Sequence, residues 1–184
     1  MRAKPFRLAC LLAVIAVAGC KKSADPAPSP TPSAPIARSD IVHFRDLRGF
    51  LPRSLPGFDQ VKDEGSTGKY GEVVVSEAER VFQKKSQEVS VRIVDTSVSE
   101  RLGKAITAAA KDAASRDADD PSGPLQLKNA VGFVRFDSDQ DRAEANLLVG
   151  DRYVVAVTTV GYPDTREVRR LSGELDLAGL SKLR

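Results

Sequence analysis

Three carboxylates stand at alternate positions in Asp137-Ser138-Asp139-Gln140-Asp141. That spacing lets a loop gather its oxygens around one hard cation such as calcium. The full pattern also needs a glycine at the sixth position and a glutamate at the twelfth. This chain has Arg142 and Leu148 there, and the arginine would repel the ion. The segment reads as a polar hairpin turn, and no metal ligand is assigned. Gly65-Ser66-Thr67-Gly68-Lys69-Tyr70 also offers chemistry. A phosphate loop needs four residues between its glycines and Ser or Thr after the lysine, whereas here two residues intervene and Tyr70 follows. Ser66 and Lys69 have the Ser-x-x-Lys spacing by which a lysine can activate a serine, but the companion motifs do not occur. A hairpin loop is the better reading. His43 could act as a general base, yet no Gly-x-Ser-x-Gly nucleophile motif accompanies it, and it reads as a surface or packing residue. Glu77 and Glu79 share a strand face and could divide acid and base roles, though their alternation with Ala78 and Arg80 marks a solvated face. Asp117, Asp119 and Asp120 follow an alanine-rich helix; carboxylates oppose the dipole at that end, so they belong in a loop. No catalytic residue and no cofactor-binding residue is assigned.

Val17-Ala18-Gly19-Cys20 is the one stretch that matches a complete motif. Arg2, Lys4 and Arg7 form a positive segment, and Leu8 to Val17 is an apolar run too short to span a bilayer. Small residues then precede a cysteine, whose thiol is a nucleophile. This resembles the lipobox signal peptide of bacterial lipoproteins. The resemblance implies cleavage between Gly19 and Cys20 and acylation of Cys20 with a diacylglycerol thioether and, in many bacteria, an N-linked chain such as palmitate. Several chains matter, because a single acyl chain binds a membrane only marginally. Lys21 stands where an aspartate would favour inner-membrane retention, so the outer membrane is favoured.

Composition sets further bounds. The formal charge of +3 belongs to the signal peptide: without Arg2, Lys4 and Arg7, the remaining bases equal the 25 acids. A neutral domain lacks the footprint of a nucleic-acid binder. Of the 2 cysteines, Cys10 leaves with the signal and Cys20 takes the lipid. The folded part then has no thiol for a disulfide, thiolate metal site or cysteine nucleophile, and its 1 histidine cannot build a multi-histidine site.

The elements that would position these groups follow in three parts. Residues 1–19 are the signal. Residues 20–39 are the acylated cysteine and a linker in which Pro26, Pro28, Pro30, Pro32 and Pro35 alternate with small residues; at ~3.1 Å per residue it could reach on the order of 50 Å. Residues 40–184 are long enough for one core. A short helix is expected over Ile41–Leu51, ended by Pro52 and Leu55-Pro56-Gly57. Strands are expected over Phe58–Glu64, Tyr70–Gln83 and Glu88–Val94, the last alternating cleanly. Ser97 to Glu100 matches a capping box before a helix with Leu102, Ile106, Ala109 and Ala113 on one stripe, broken by Pro121, Gly123 and Pro124. Strands recur over Ala130–Phe136, Ala143–Val149 and Tyr153–Val160, with a two-residue turn at Gly150-Asp151. Tyr153–Val160 is apolar on both faces and is expected at the centre. Asp164 to Glu167 repeats the capping box before a helix burying Val168 and Leu171, and a last turn packs Leu177 and Leu180.

The expected fold is α+β, with an antiparallel sheet of five to six strands, helices packed on it, and the order α-βββα-βββα. The two halves point to a duplication. The element order loosely resembles the PsbP-like α-β-α sandwiches, a likeness of order alone that implies no activity. The expectation for function is a membrane-anchored envelope lipoprotein, non-catalytic, that binds an envelope protein or an apolar ligand. It would be held by acyl chains on Cys20 at the outer membrane, on the periplasmic side. The alternatives are an envelope hydrolase using carboxylates with His43 or Ser66 in support, and a structural lipoprotein. The sequence carries no signal for an oligomeric state.

Overall fold

A computed structural model describes residues 41–70, 73–96, 100–115 and 121–184. The elements are α1 (Phe44–Arg48), β1 (Asp59–Tyr70), β2 (Val73–Lys84), β3 (Gln87–Asp95), α2 (Glu100–Ala114), β4 (Gly123–Leu127), β5 (Ala130–Asp137), β6 (Arg142–Val149), β7 (Tyr153–Val160), α3 (Arg166–Glu174) and α4 (Leu177–Leu180). The fold is α+β: one antiparallel sheet in the order β1-β2-β3-β7-β6-β5-β4, with helices against it.

The sheet has seven strands where five to six were expected, and the order is α-βββα-ββββαα rather than α-βββα-βββα. The added strand is β4. Gly123 and Pro124 read as breakers, but β4 is an edge that pairs only with β5. An edge strand tolerates the N–H that proline lacks. The Pro124 carbonyl accepts a bond from Arg169 Nη1 at 3.1 Å, which caps part of that edge with α3. A second correction concerns residues 65–68. They are not a loop; they lie inside β1, and the strand runs on to Tyr70, paired with Val73. Serine and threonine suit a strand when a neighbour completes their bonds, and Thr67 Oγ1 lies 2.8 Å from Ser76 Oγ directly across the ladder.

Period-two alternation decides what each face does. One face carries Val89, Val91 and Ile93 of β3, Ala145 and Leu147 of β6, and Val155 and Val157 of β7, all buried. Leu47 of α1, Val168 and Leu171 of α3, and Leu177 and Leu180 of α4 pack on it to make the main core. Each such side chain contributes about 1.5–3 kcal/mol when fully buried. The opposite face carries Phe133, Leu148 and Val154, covered by Ile106 and Ala113 of α2. Leu102, expected on that stripe, is 40% exposed, and Gly103 sits over Leu148 instead. β7 is central, as its two apolar faces require.

The strands of the two halves flank the β3–β7 pair in mirrored order. A two-fold axis normal to the sheet would exchange them and keep helices on one face. α2 and α3 lie on opposite faces, so the likeness stops at the strands. Val149 pairs with Tyr153, which makes the β6–β7 connection three residues long instead of two. Gly150 and Asp151 both have positive φ (57° and 55°) and the Arg152 N–H donates to the Val149 carbonyl, the geometry of a hairpin turn. The second capping box does not form: α3 begins with Thr165 at its N-cap, and that side chain makes no cap bond. Asp164 Oδ1 accepts from the Arg166 N–H at 2.9 Å, while Glu167 pairs with Arg170 rather than reaching back. The first, at Ser97–Ser99, lies outside the described residues, as do Gly19, Cys20 and the linker.

Candidate functional site

Four chemistry-bearing groups have structural assignments. His43 is the N-cap of α1: its Nδ1 accepts from the Arg45 N–H at 3.3 Å, and its ring lies against Phe44. Asp137 Oδ1 accepts from the N–H groups of Asp139 (3.0 Å) and Gln140 (3.3 Å), so that carboxylate closes its own turn. Among the described residues, no group of three or more His, Cys, Asp and Glu side chains could hold a metal ion. Asp117, Asp119 and Asp120 lie outside the described residues. Ser66 lies across the β1–β2 ladder from Glu77.

Glu77 and Glu79 do share a face, the half of the sheet that α2 leaves uncovered. Both are paired. Arg92 of β3 bonds Glu77, and Lys62 Nζ lies 2.7 Å from Glu79 and 3.3 Å from Glu64. The hydrogen bond to Glu79, then that to Glu64, raises the Lys62 pKa. Farther along the same face, Arg142 pairs with Glu144 at 3.3 Å, and Asn146 Nδ2 donates to the other Glu144 oxygen. The carboxylates are paired with cations around a polar concavity of about 340 Å³ lined by Lys62, Glu64, Ser66, Glu77, Glu79 and Arg92. Exposed pairs of this kind contribute roughly 0–1 kcal/mol each.

The opposite face holds a different feature: a cleft of about 410 Å³ between the segment after α1 and the α3–α4 corner. Phe50, Leu51, Pro52, Leu55 and Pro56 make one wall. Leu171 and Leu175 make the other, with Glu174 and Asp176 at its rim. Val91 of the central sheet is the floor. Its size falls at the lower end of small-ligand sites, roughly 300–1,000 Å³, and its lining mixes apolar and polar surface in nearly equal parts.

Both walls are fixed by specific contacts. α1 lies on β1 because Gly65 leaves room for Phe44: a Cβ there would sit 2.5 Å from Phe44 Cδ2. The Phe44 N–H donates to Thr67 Oγ1 at 3.0 Å. Behind the wall, Asp63 stands between two arginines, Arg80 at 2.9 Å and Arg48 at 3.2 Å. Arg80 is 8% exposed and donates Nη1 to the Pro52 carbonyl at 2.8 Å. A charge this deeply buried costs several kcal/mol unless paired and bonded; the carboxylate and carbonyl satisfy its two Nη groups, while its buried Nε has no hydrogen-bond partner. The second wall is held by Asp176, whose Oδ1 accepts from the Gly179 N–H at 2.8 Å and starts α4. Arg170 links Glu167 and Glu174 along α3. That hydrogen bond to Arg170 lowers the Glu167 pKa.

A further clamp closes the end of the sheet. Asp95, buried, takes both Nε (3.1 Å) and Nη2 (2.8 Å) of Arg152 and accepts the Val42 N–H at 2.9 Å. This fixes where the chain enters the domain. Tyr153 OH donates to the Leu183 carbonyl at 2.9 Å and holds the last residues down.

Sequence reasoning missed the cleft. Its walls draw on Phe50, which lies beyond the end of α1 although the helix was expected to reach Leu51, and on Leu55 between Pro52 and Pro56. No helix among the described residues is long and apolar enough to cross a membrane. No family model matches this chain, and no curated protein and no solved structure matches it.

Proposed function

We propose that this chain is a lipid-anchored protein of the bacterial cell envelope whose domain is a binding module. Acyl chains on Cys20 hold it to the outer membrane on the periplasmic side, and the proline-rich residues up to 39 space the domain from the lipid. The observation that carries binding is the cleft between the two braced walls, where the half-buried Phe50, Leu55 and Leu175 come to the surface above the buried Val91. Its occupant is an apolar group of an envelope protein or of a smaller ligand. Hydrolysis is disfavoured because Glu77 and Glu79 are neutralised by Arg92 and Lys62, and because the His43 Nδ1 is used as a helix cap. The support for the anchor is Val17-Ala18-Gly19-Cys20 after its basic and apolar segments.

The anchor is tested by growing cells that express the wild-type chain or Cys20→Ala with radiolabelled palmitate. Label is expected in the wild type alone, with the variant accumulating as a longer precursor. Equal labelling of both chains would remove Cys20 as the acylation site.

A further inference from the structure

α2 is held to the sheet differently from the other helices. α1, α3 and α4 place Leu47, Val168, Leu171, Leu177 and Leu180 in the main core, whereas no described residue of α2 belongs to it. α2 instead closes a second, smaller cluster with Phe133, Leu148 and Val154. Its buried residues are Gly103, Ile106, Ala110 and Ala113, so Ile106 is the one large side chain among them. The helix is also weak in itself. Gly103 stands in its interior, where glycine is among the poorest helix formers. Thr107 Oγ1 donates to the Gly103 carbonyl at 3.0 Å, a back-bond that slightly destabilises a helix. A helix of 15 residues is marginal in water on its own, so α2 keeps its turns only while it lies on the sheet.

We infer that α2 is a lid, which leaves the sheet and melts as a unit while the strands and the main core stay folded. The main core keeps all its members when α2 goes, and only the small cluster is dismantled. Elements with few buried apolar contacts are the ones that open at a lower free energy than the whole domain. The open form presents Val131, Phe133, Leu148 and Val154, an apolar surface that the closed form hides. A molecule with affinity for that surface alone shifts the population toward the open form. The lid lies on the face of the sheet opposite the cleft and is independent of it.

The test uses the full mature chain with Cys20→Ser, so that neither lipid nor detergent is present. Amide hydrogen exchange is followed residue by residue in the native state as urea is raised. After correction for intrinsic rates, α2 amides should exchange at least about 100-fold faster than those of β3 and β7. Their dependence on urea should be less than about half as steep, because a lid exposes less surface than the whole domain. Equal rates with equal urea dependence would mean that α2 opens only with the whole domain, and would overturn the inference. Gly103→Ala raises helix propensity, and its Cβ would lie at ordinary contact distance, 3.5 Å, from Leu148 Cδ1. It should slow α2 exchange about fivefold, and α2 amides no slower than in the wild type would also overturn the inference. Ile106→Asp puts a charge beneath the helix and should hold it open. N-phenyl-1-naphthylamine, a neutral apolar dye, should then fluoresce more strongly than with the wild-type domain, while β3 and β7 amides stay protected. Loss of protection across the sheet in this variant would make α2 a part of the core rather than a lid, and an unchanged dye signal would mean that no apolar surface is uncovered; either result overturns the inference.

Discussion

Arg80→Met should loosen one wall of the cleft and destabilise the domain by about 2–3 kcal/mol. Methionine keeps the length and apolar stem of the side chain and removes its charge and donors. Breaking a buried pair by removing one partner costs about 3–5 kcal/mol. Two features of the site lower that figure. Asp63 is 26% exposed on its side chain and keeps Arg48 at 3.2 Å, so the stranded carboxylate is neither fully buried nor unpaired. The Pro52 carbonyl, in contrast, loses its 2.8 Å donor, which adds back about 1 kcal/mol. Urea unfolding of the Cys20→Ser chain, followed by far-ultraviolet circular dichroism, reads the difference through the midpoint at constant slope. Asp63→Asn in the same background completes a double-mutant cycle, and the two losses should be less than additive by at least about 1 kcal/mol. A loss under about 0.5 kcal/mol for Arg80→Met, or full additivity in the cycle, would refute the bracing of the wall by this pair.

Other predictions follow from the same contacts. Gly65→Val should push Phe44 off β1, since even a Cβ there sits 2.5 Å from the ring. Amide exchange over 43–52 should then accelerate while β5–β7 stay protected. Burial, the largest cause, raises the Tyr153 pKa above its ordinary value near 10.0. The native state therefore holds this proton more tightly than the unfolded chain. The resulting stability is complete below the unfolded pKa and falls as pH rises through and beyond it. Tyr153→Phe should flatten the loss of stability above pH 10, at a cost of about 1 kcal/mol at neutral pH for the bond to Leu183; an unchanged alkaline limb in the variant would exclude this group.

β3 was legible because its burial is one-sided and its alternation clean. In β3, Val89, Val91 and Ile93 face the core while Glu88 and Arg92 face water, a pattern written in residue types alone. The central place of β7 was legible for the opposite reason, since Val154 and Val155 are both buried. β4 escaped because its proline is tolerated only by virtue of its place at an edge, and an edge is a property of the assembled sheet. The 65–68 segment escaped for a similar reason. Glycine there marks the approach of Phe44 from 21 residues earlier in the chain, not a turn. The pairing of Glu77 with Arg92 depends on the β2–β3 register and could not be chosen from local sequence. The cleft belongs wholly to tertiary structure: its walls come from residues 49–56 and 171–176 and its floor from Val91.

Native mass spectrometry of the protein gently extracted from its own envelope tests the anchored binding module most directly. The predicted ion is a chain starting at Cys20, heavier than its sequence by a diacylglyceryl group and one or more acyl chains, with a stoichiometric second protein attached. A chain that begins elsewhere or carries no lipid would contradict the anchor. A lipidated chain with nothing bound, at every extraction strength, would contradict the stable binding role.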